Sequence, residues 1–158
     1  MEITIRRATV DDLEALVYFN SALAEETEAK QLSRDRLTRG VRAVFEDPAK
    51  GFYLLADTEG TAAGGLLVTV EWSDWRNAYF WWIQSVFVRP EYRGRGVYAR
   101  LHRHVEELAA TAGDVCGIRL YVDRENTRAK SVYERLGMTP GRYDFYETEL
   151  PGGGTDFA

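Results

Sequence analysis

One stretch decides the fold: Gln84-Ser85-Val86-Phe87-Val88-Arg89-Pro90-Glu91-Tyr92-Arg93-Gly94-Arg95-Gly96-Val97-Tyr98-Ala99-Arg100-Leu101. It begins with β-branched and aromatic residues and is interrupted at Pro90, after which two glycines lie among arginines. From Val97 onward the apolar residues follow helical spacing. This order predicts a strand, a tight turn and a helix.

The predicted helix begins in a turn that suits an anion. The first N–H groups of a helix have no intrahelical acceptor, and the positive end of the helix dipole lies beside them. Gly94 and Gly96 let the backbone approach an oxygen-rich group without a Cβ in the way. Four arginines add positive charge nearby: Arg93, Arg95, Arg100 and Arg103. We therefore expect a phosphate or pyrophosphate to bind here.

Known glycine-loop patterns can be tested against this turn. The nucleoside-triphosphate loop fails, because neither Lys nor Ser/Thr follows Gly96. The dinucleotide pattern matches as Gly94-x-Gly96-x-x-Ala99, and Asp123 follows the next predicted strand, where an acid could bind a ribose. Only 35 residues follow Asp123, too few for the remaining units of a doubly wound sheet. A dinucleotide-binding domain stays open as the less favoured alternative.

A third pattern, R/Q-x-x-G-x-G/A, fits as Arg93-Gly94-Arg95-Gly96-Val97-Tyr98, with Tyr where Gly or Ala is usual. A second motif follows at Asn126-x-x-Ala129-x-x-x-Tyr133-x-x-x-Gly137-Met138. On these two motifs the sequence resembles the GNAT family of acyl-CoA-dependent N-acyltransferases, and the similarity covers residues 3–149. The resemblance implies that the chain transfers an acetyl group from acetyl-CoA to a primary amine by direct attack in a ternary complex.

Length and composition predict a single domain. A chain of 158 residues that is 45% hydrophobic is large enough for one core and small for two. We expect an acetyltransferase domain over residues 1–150 and a flexible tail over 151–158. The resemblance implies an α/β (α+β) fold with four helices and a mixed sheet of about six to seven strands, whose central strands splay apart. Alternation and turn residues predict strands near 2–6, 51–57, 64–72, 79–88, 116–122 and 142–149.

Composition also excludes several classes of function. The net charge of −5 argues against nonspecific binding of nucleic acid. No apolar run approaches the ~20 residues of a membrane span and the N-terminus lacks a signal pattern, so we expect a cytoplasmic protein. Cys116 is the sole cysteine and is expected to be a buried, reduced thiol. His102 and His104 are expected on a partly solvated helix surface, and neither a catalytic triad nor a metal site is predicted.

The resemblance assigns residues to the coenzyme. It implies that the backbone of Val86 and Val88, with Phe87 between them, lies along the pantetheine arm. Asn126 would bind the pantetheine, although it could also serve only as a helix cap. The pyrophosphate would be held by the N–H groups of Gly94, Arg95, Gly96, Val97 and Tyr98, assisted by Arg93. The alternative is a tight strand–helix turn with solvated arginines.

Tyr133 is the predicted catalytic acid. The corresponding tyrosine of the family protonates the departing CoA thiolate, and the alternative is a core tyrosine packed on the sheet. A protonated amine must lose a proton before it attacks, and Glu71 is the predicted base because it ends a strand beside Gln84. An exposed or ion-paired glutamate is the alternative for Glu71.

Acidic and aromatic residues are candidates for the acceptor site. Glu26 and Glu28 could steer a cationic amine, or they could simply be a solvated helix end. Trp72 and Trp75 lie in and beside a predicted turn, where their rings could attract the amine by cation–π interaction. Two further alternatives remain: a module that binds CoA without turnover, and pairing of exposed strand edges into a dimer.

Overall fold

The computed structural model describes residues 1–151. Five strands form one mixed sheet in the order β1-β2-β3-β4-β5, antiparallel except for the parallel pair β4 and β5. The strands are β1 (Thr4–Arg7), β2 (Phe52–Thr58), β3 (Thr61–Ser73), β4 (Ala78–Val88) and β5 (Val115–Leu120). The helices are α1 (Leu13–Glu28), α2 (Arg34–Glu46), α3 (Val97–Ala112) and α4 (Thr127–Arg135).

The local signals are confirmed, and the count of strands is wrong. The four helices, the β2–β3 hairpin turning at Glu59-Gly60 and the helix start at Ser33, whose Oγ accepts from Arg36 N, are present. The sheet has five strands rather than six to seven, because the predicted strand at 142–149 is irregular. That segment alternates as a strand does, but no strand of residues 1–151 pairs with it. Of the predicted tail, residues 152–158 lie outside the described residues.

Two apolar layers enclose the sheet. On one face α3 packs through Leu101 and Val105 onto a cluster that includes Leu54 and Leu66. On the other face α1 contributes Phe19 to a second cluster of buried residues. The residues named in the two layers are at most 2% exposed, so the middle of the sheet is dry on both sides.

A bulge in β4 changes which way its side chains face. Gly65 is opposite Phe87 and Leu67 is opposite Gln84, so two residues of β4 lie opposite Leu66 alone. Ser85, one of these two, has φ 51°. The extra residue reverses the alternation, and Phe87 therefore joins the α1 layer, whereas Trp81 and Ile83 before the bulge belong to the α3 layer.

Strands β4 and β5 separate beyond the bulge. Their pairing ends at Ile83 and Leu120, although β4 continues to Val88. Along residues 84–88, the edge of β4 that faces β5 has no strand partner among residues 1–151. This opening agrees with the splayed strands that the resemblance implied.

Two sequence expectations about single residues are wrong. Cys116 is exposed rather than buried, because β5 is the outermost strand of the sheet. His102 is only 1% exposed rather than on a solvated surface, because it lies on the inner side of α3. As for membranes, the helices within residues 1–151 are too short or too polar to span one.

Candidate functional site

A cleft of about 590 Å³ lies where β4 and β5 separate. One wall is the end of β4, the loop after it and the start of α3, and the other wall is α4. The sequence predicted many of the lining residues: Glu26, Val86, Phe87, Val88, Arg93, Gly94, Gly96, Val97, Tyr98, Asn126 and Tyr133. The site is therefore built from the two motifs, which the fold brings to opposite sides of one opening.

The glycine turn presents free backbone donors to the cleft. Gly94 and Gly96 have φ of 74° and 79°, and a Cβ on either would meet nothing within 4 Å, so both face open space. The N–H of Arg93 donates to Pro90 O at 3.2 Å. Among residues 1–151, no protein acceptor binds the next five N–H groups, from Gly94 to Tyr98. Convergent donors at a helix N-terminus form an anion site.

Arg93 holds the turn in place. Its Nε donates to Val88 O at 2.8 Å, and its Nη2 forms an ion pair with Glu26 at 2.8 Å. The guanidinium thus links the end of β4 to the end of α1. Arg95 is also exposed. The sequence expected Arg93 and Glu26 at separate sites, coenzyme and acceptor, and the structure joins them.

Tyr98 stands at the position where the family pattern has Gly or Ala. Its hydroxyl lies 3.2 Å from Nδ1 of His102, one helical turn further along α3. Its side chain therefore extends along α3 towards His102, while its backbone N–H lies at the turn. Burial, with Tyr133 and Glu106 nearby, raises the pKa of Tyr98. A large residue at this position is thus held against His102 and Tyr133.

Tyr133 and Asn126 belong to the α4 wall. The Tyr133 ring contacts the Tyr98 ring edge-on, with centroids 5.7 Å apart. Burial raises the pKa of the Tyr133 phenol, which keeps it protonated at neutral pH. Asn126 Oδ1 accepts from Ala129 N at 3.0 Å and caps α4, which leaves the Asn126 side-chain NH₂ available to a ligand.

Glu71 is held by two donors. Its Oε1 accepts from Trp82 Nε1 at 3.0 Å and from Arg119 Nη1 at 2.9 Å. Gln84 Nε2 donates to Thr69 Oγ1 at 2.6 Å rather than to Glu71. Gln84 lies opposite Leu67, four residues from Glu71 along β3, a separation of about 13 Å. The assignment of Glu71 as base stays a prediction, and the ion pair with Arg119 opposes it.

The remaining predicted acceptor residues lie outside the cleft lining. Glu28 is exposed and 3.9 Å from Lys30 Nζ. Trp72 contacts the Tyr79 ring at 4.9 Å, and Trp75 is 91% exposed in the β3–β4 turn. Seven residues of β4 separate Tyr79 from Val86, which corresponds to about 23 Å. A small amine at the bulge could not contact either tryptophan.

The structure shows an aromatic row that sequence analysis missed. The Trp82 ring stacks on Tyr121 at 4.4 Å, and Tyr121 contacts Phe145 at 5.0 Å. The row begins beside the point where β4 and β5 separate, on the face that carries Glu71. One signal was available: Tyr121 directly follows β5, and the ends of parallel neighbours meet at one edge of a sheet.

The topology excludes one alternative. A dinucleotide-binding domain of the doubly wound class needs parallel strands, but β1 to β4 are antiparallel throughout. The Gly94-x-Gly96-x-x-Ala99 match is therefore not a dinucleotide fingerprint. What remains, within residues 1–151, is a mixed sheet with four helices and a glycine turn with unpaired N–H groups at the edge of a splayed strand pair.

Comparison with known proteins identifies this class. Residues 14–138 match the family described as Acetyltransferase (GNAT) family. The crystal structure of a possible acetyltransferase from Clostridium difficile 630 is 42% identical, covers 95% of this chain and 99% of its own, and superposes with a TM-score of 0.88. The chain belongs to the GNAT acetyltransferase family.

Curated relatives are more distant and longer. Mycothiol acetyltransferase from Corynebacterium aurimucosum is 30% identical over 128 residues, which are 76% of this chain and 40% of that protein. Thialysine N-epsilon-acetyltransferase from Bos taurus is 38% identical over 69 residues, 42% of this chain and 38% of that protein. The chain thus spans about two fifths of the length of these relatives.

Proposed function

We propose that the chain is an N-acetyltransferase that transfers the acetyl group of acetyl-CoA to a primary amine of a small molecule or peptide. One observation carries the proposal. Five free N–H groups, from Gly94 to Tyr98, lie at one end of a cleft whose far wall carries the protonated phenol of Tyr133. The unpaired edge of β4 connects the two.

The coenzyme would bind along this line. Its pyrophosphate would accept hydrogen bonds from the turn at 94–98, with the positive helix end adding to the attraction. Its pantetheine amides would pair with the free backbone edge at 86–88, as a strand pairs with an exposed sheet edge. Asn126 would donate its side-chain NH₂ from the opposite wall. Arg93 would act through the position of the turn, since Glu26 and Val88 occupy its guanidinium.

The reaction forms a carbon–nitrogen bond and breaks a carbon–sulfur bond and a nitrogen–hydrogen bond. The neutral amine nitrogen attacks the thioester carbonyl carbon, the attached nitrogen then loses one proton to solvent, and the carbon–sulfur bond breaks to give an amide and a thiolate. Tyr133 donates its phenolic proton to the sulfur, and solvent reprotonates the phenoxide. A thiolate with a pKa near ~8.5 is already a fair leaving group, so this proton transfer assists the reaction without being indispensable.

The amine would lose its proton to water or to a carboxylate on the acceptor side. Trp82 and Arg119 both donate to Oε1 of Glu71, so its predicted role as base would fall to Oε2, directly or through ordered water. Glu26, which lines the cleft and forms an ion pair with Arg93, and Glu28, at the end of α1, would attract a cationic amine. Two relatives are named for mycothiol and for the ε-nitrogen of thialysine, which supports a small amine-bearing acceptor.

Different acceptors would contact different aromatic residues. A small amine at the bulge would meet Trp82 and Tyr121, which begin the aromatic row. Trp72 and Trp75 would be reached only by an acceptor long enough to cover about 23 Å of β4, such as an extended peptide. Trp75→Ala should therefore raise the Michaelis constant of a peptide acceptor and leave that of a small amine unchanged.

Calorimetry and a thiol assay test the proposal together. CoA and acetyl-CoA should bind and raise the melting temperature, and NAD should do neither. Free CoA thiol should then appear only when an amine from a panel of polyamines, amino acids and peptides is added. Binding of acetyl-CoA without thiol release for any amine would favour the alternative, a module that holds CoA without turnover. Binding of NAD alone would refute both.

A further inference from the structure

The outer side of the sheet lacks cover within residues 1–151. Strand β5 pairs with β4 on one side, and no strand within residues 1–151 pairs with its other side. No residue of β5 or α4 is buried, whereas α3 has five buried residues. An open edge beside partly exposed apolar residues is a site for strand addition.

A groove of about 420 Å³ runs beside this edge. It is lined by residues of α3, by the start of β5 and by the segment after α4, among them His102, Ala109, Val115, Cys116 and Met138. The groove continues the apolar layer under α3, because Ala109 and Val115 belong to that layer. The open edge of β5 and the groove together form one continuous surface that a partner strand could cover.

The described part of the chain also carries a strand-like segment that pairs with none of its strands. Residues 142–150 alternate in the manner of a strand, yet are irregular in the structure. Four of their side chains are large, apolar and well exposed: Tyr143 at 73%, Phe145 at 58%, Tyr146 at 93% and Leu150 at 69%. So dense a group of exposed apolar side chains marks a contact surface.

The segment is only loosely attached to its own subunit. Phe145 contacts Tyr121 at 5.0 Å, and Asp144 lies 3.6 Å from Arg124. Both are contacts between exposed groups, which contribute little to stability and are readily exchanged. The segment leaves the groove at Thr139, and its eleven following residues can extend over about 36 Å, far enough to reach another molecule.

We infer that residues 142–150 of one copy add a strand to the open edge of β5 in a second copy, and that the second copy does the same in return. In a twofold dimer, the open edge of β5 and the segment 142–150 of each subunit would both gain a partner, since each subunit gives one segment and receives one. Charge agrees with this pairing. The segment has three acidic residues and one basic residue, whereas α4, beside the edge, has three basic residues and one acidic residue.

The exchange has a consequence for the cleft. Helix α4 carries Tyr133 and begins at Asn126, and its main-chain connection to β5 is short. A partner strand along β5 would cover the groove beneath Met138 and so fix the position of α4. The dimer would then complete the wall from which Tyr133 faces the coenzyme. This inference concerns assembly and holds whether or not the cleft turns over acetyl-CoA.

Light scattering on the full chain tests the dimer. The wild type is expected to be a dimer at micromolar concentration, and Tyr146→Asp should raise its dissociation constant at least tenfold. Tyr146 has almost no packing to lose, so circular dichroism should show an unchanged fold. The control is Val10→Asp, a 52% exposed residue near β1 at the opposite edge of the sheet, which should leave the dimer intact. A monomeric wild type overturns the inference.

Cysteine trapping distinguishes exchange from pairing within one chain. Because Cys116 is the sole cysteine and is exposed on β5, one added cysteine creates a unique pair. Cysteines placed singly at positions 143–148 scan the register, since a disulfide needs Cα atoms within about 7 Å. At one or more positions, oxidation should give a covalent dimer that disappears when Cys116→Ser is added. A disulfide-closed monomer, or no crosslink at any position, overturns the exchange.

Discussion

The two walls of the cleft are built very differently. Helix α3, beside the glycine turn, buries Val97, Leu101 and Val105 to 2% exposure or less. Helix α4, on the other side, has no buried residue within residues 1–151. The glycine turn thus lies beside a firmly packed helix, while Tyr133 lies on a helix without buried residues. A coenzyme would be positioned by the first wall, and the second would close on it.

Truncating one apolar side chain in each of the two helices should give the largest difference in stability. Leu101→Ala removes a fully buried side chain and should lower the free energy of unfolding by about 2–5 kcal/mol. Val132→Ala, on α4, removes a partly exposed side chain and should lower it by less than about 1 kcal/mol. Urea denaturation measures both. Equal losses would show that α4 is packed as firmly as α3, which contradicts the comparison.

Gly96→Ala should weaken coenzyme binding about 10- to 100-fold, because the added Cβ enters the anion site and the φ of 79° disfavours any side chain. Gly113 offers a matched control at the other end of α3. It also has φ 79° and open space where a methyl group would lie, so Gly113→Ala carries the same backbone strain outside the cleft. Calorimetry with CoA should show weaker binding for Gly96→Ala and unchanged binding for Gly113→Ala. A similar loss of affinity in both variants would place the coenzyme elsewhere.

Loss of the Tyr133 hydroxyl should have a smaller effect, confined to turnover. Tyr133→Phe should lower kcat about tenfold, at or below the low end of general acid catalysis, because the thiolate leaves readily. The Michaelis constant for acetyl-CoA should stay within about threefold. Tyr98→Phe is the control, since it removes a hydroxyl from the neighbouring ring that bonds to His102 instead. An equal fall in kcat in Tyr98→Phe would assign the acid to the pair rather than to Tyr133.

The firmly packed wall was also the more predictable one. The strand, the turn and the helix from 84 to 101 follow from local signals: apolar spacing, Pro90 and two glycines. Asn126 was likewise foreseen as a cap. Such features depend on residues that are neighbours in the sequence, so the sequence alone is enough to predict them.

Features that depend on distant partners were not predictable. Glu26 and Arg93 are 67 positions apart, and Glu71 and Arg119 are 48 apart, so no local pattern indicates either ion pair. The bulge at Ser85 depends on register with β3. The segment at 142–149 has the alternation of a strand, but a strand also needs a neighbour, and none of residues 1–151 supplies it.

The smallest expected effect is the pH dependence of the α3 wall. Burial lowers the pKa of His102, against a weaker opposing influence of Glu106, so the folded state holds the ring neutral. The unfolded chain binds a proton more readily, and stability should therefore fall as the pH drops below the unfolded value of about 6.5, until the lower folded pKa is passed. The free energy of unfolding should therefore decrease between about pH 7 and 5. His102→Gln should flatten this dependence in urea denaturation. His104→Gln removes the other histidine and is the control. If it reduced the pH dependence of stability more than His102→Gln does, His102 would not be the group responsible.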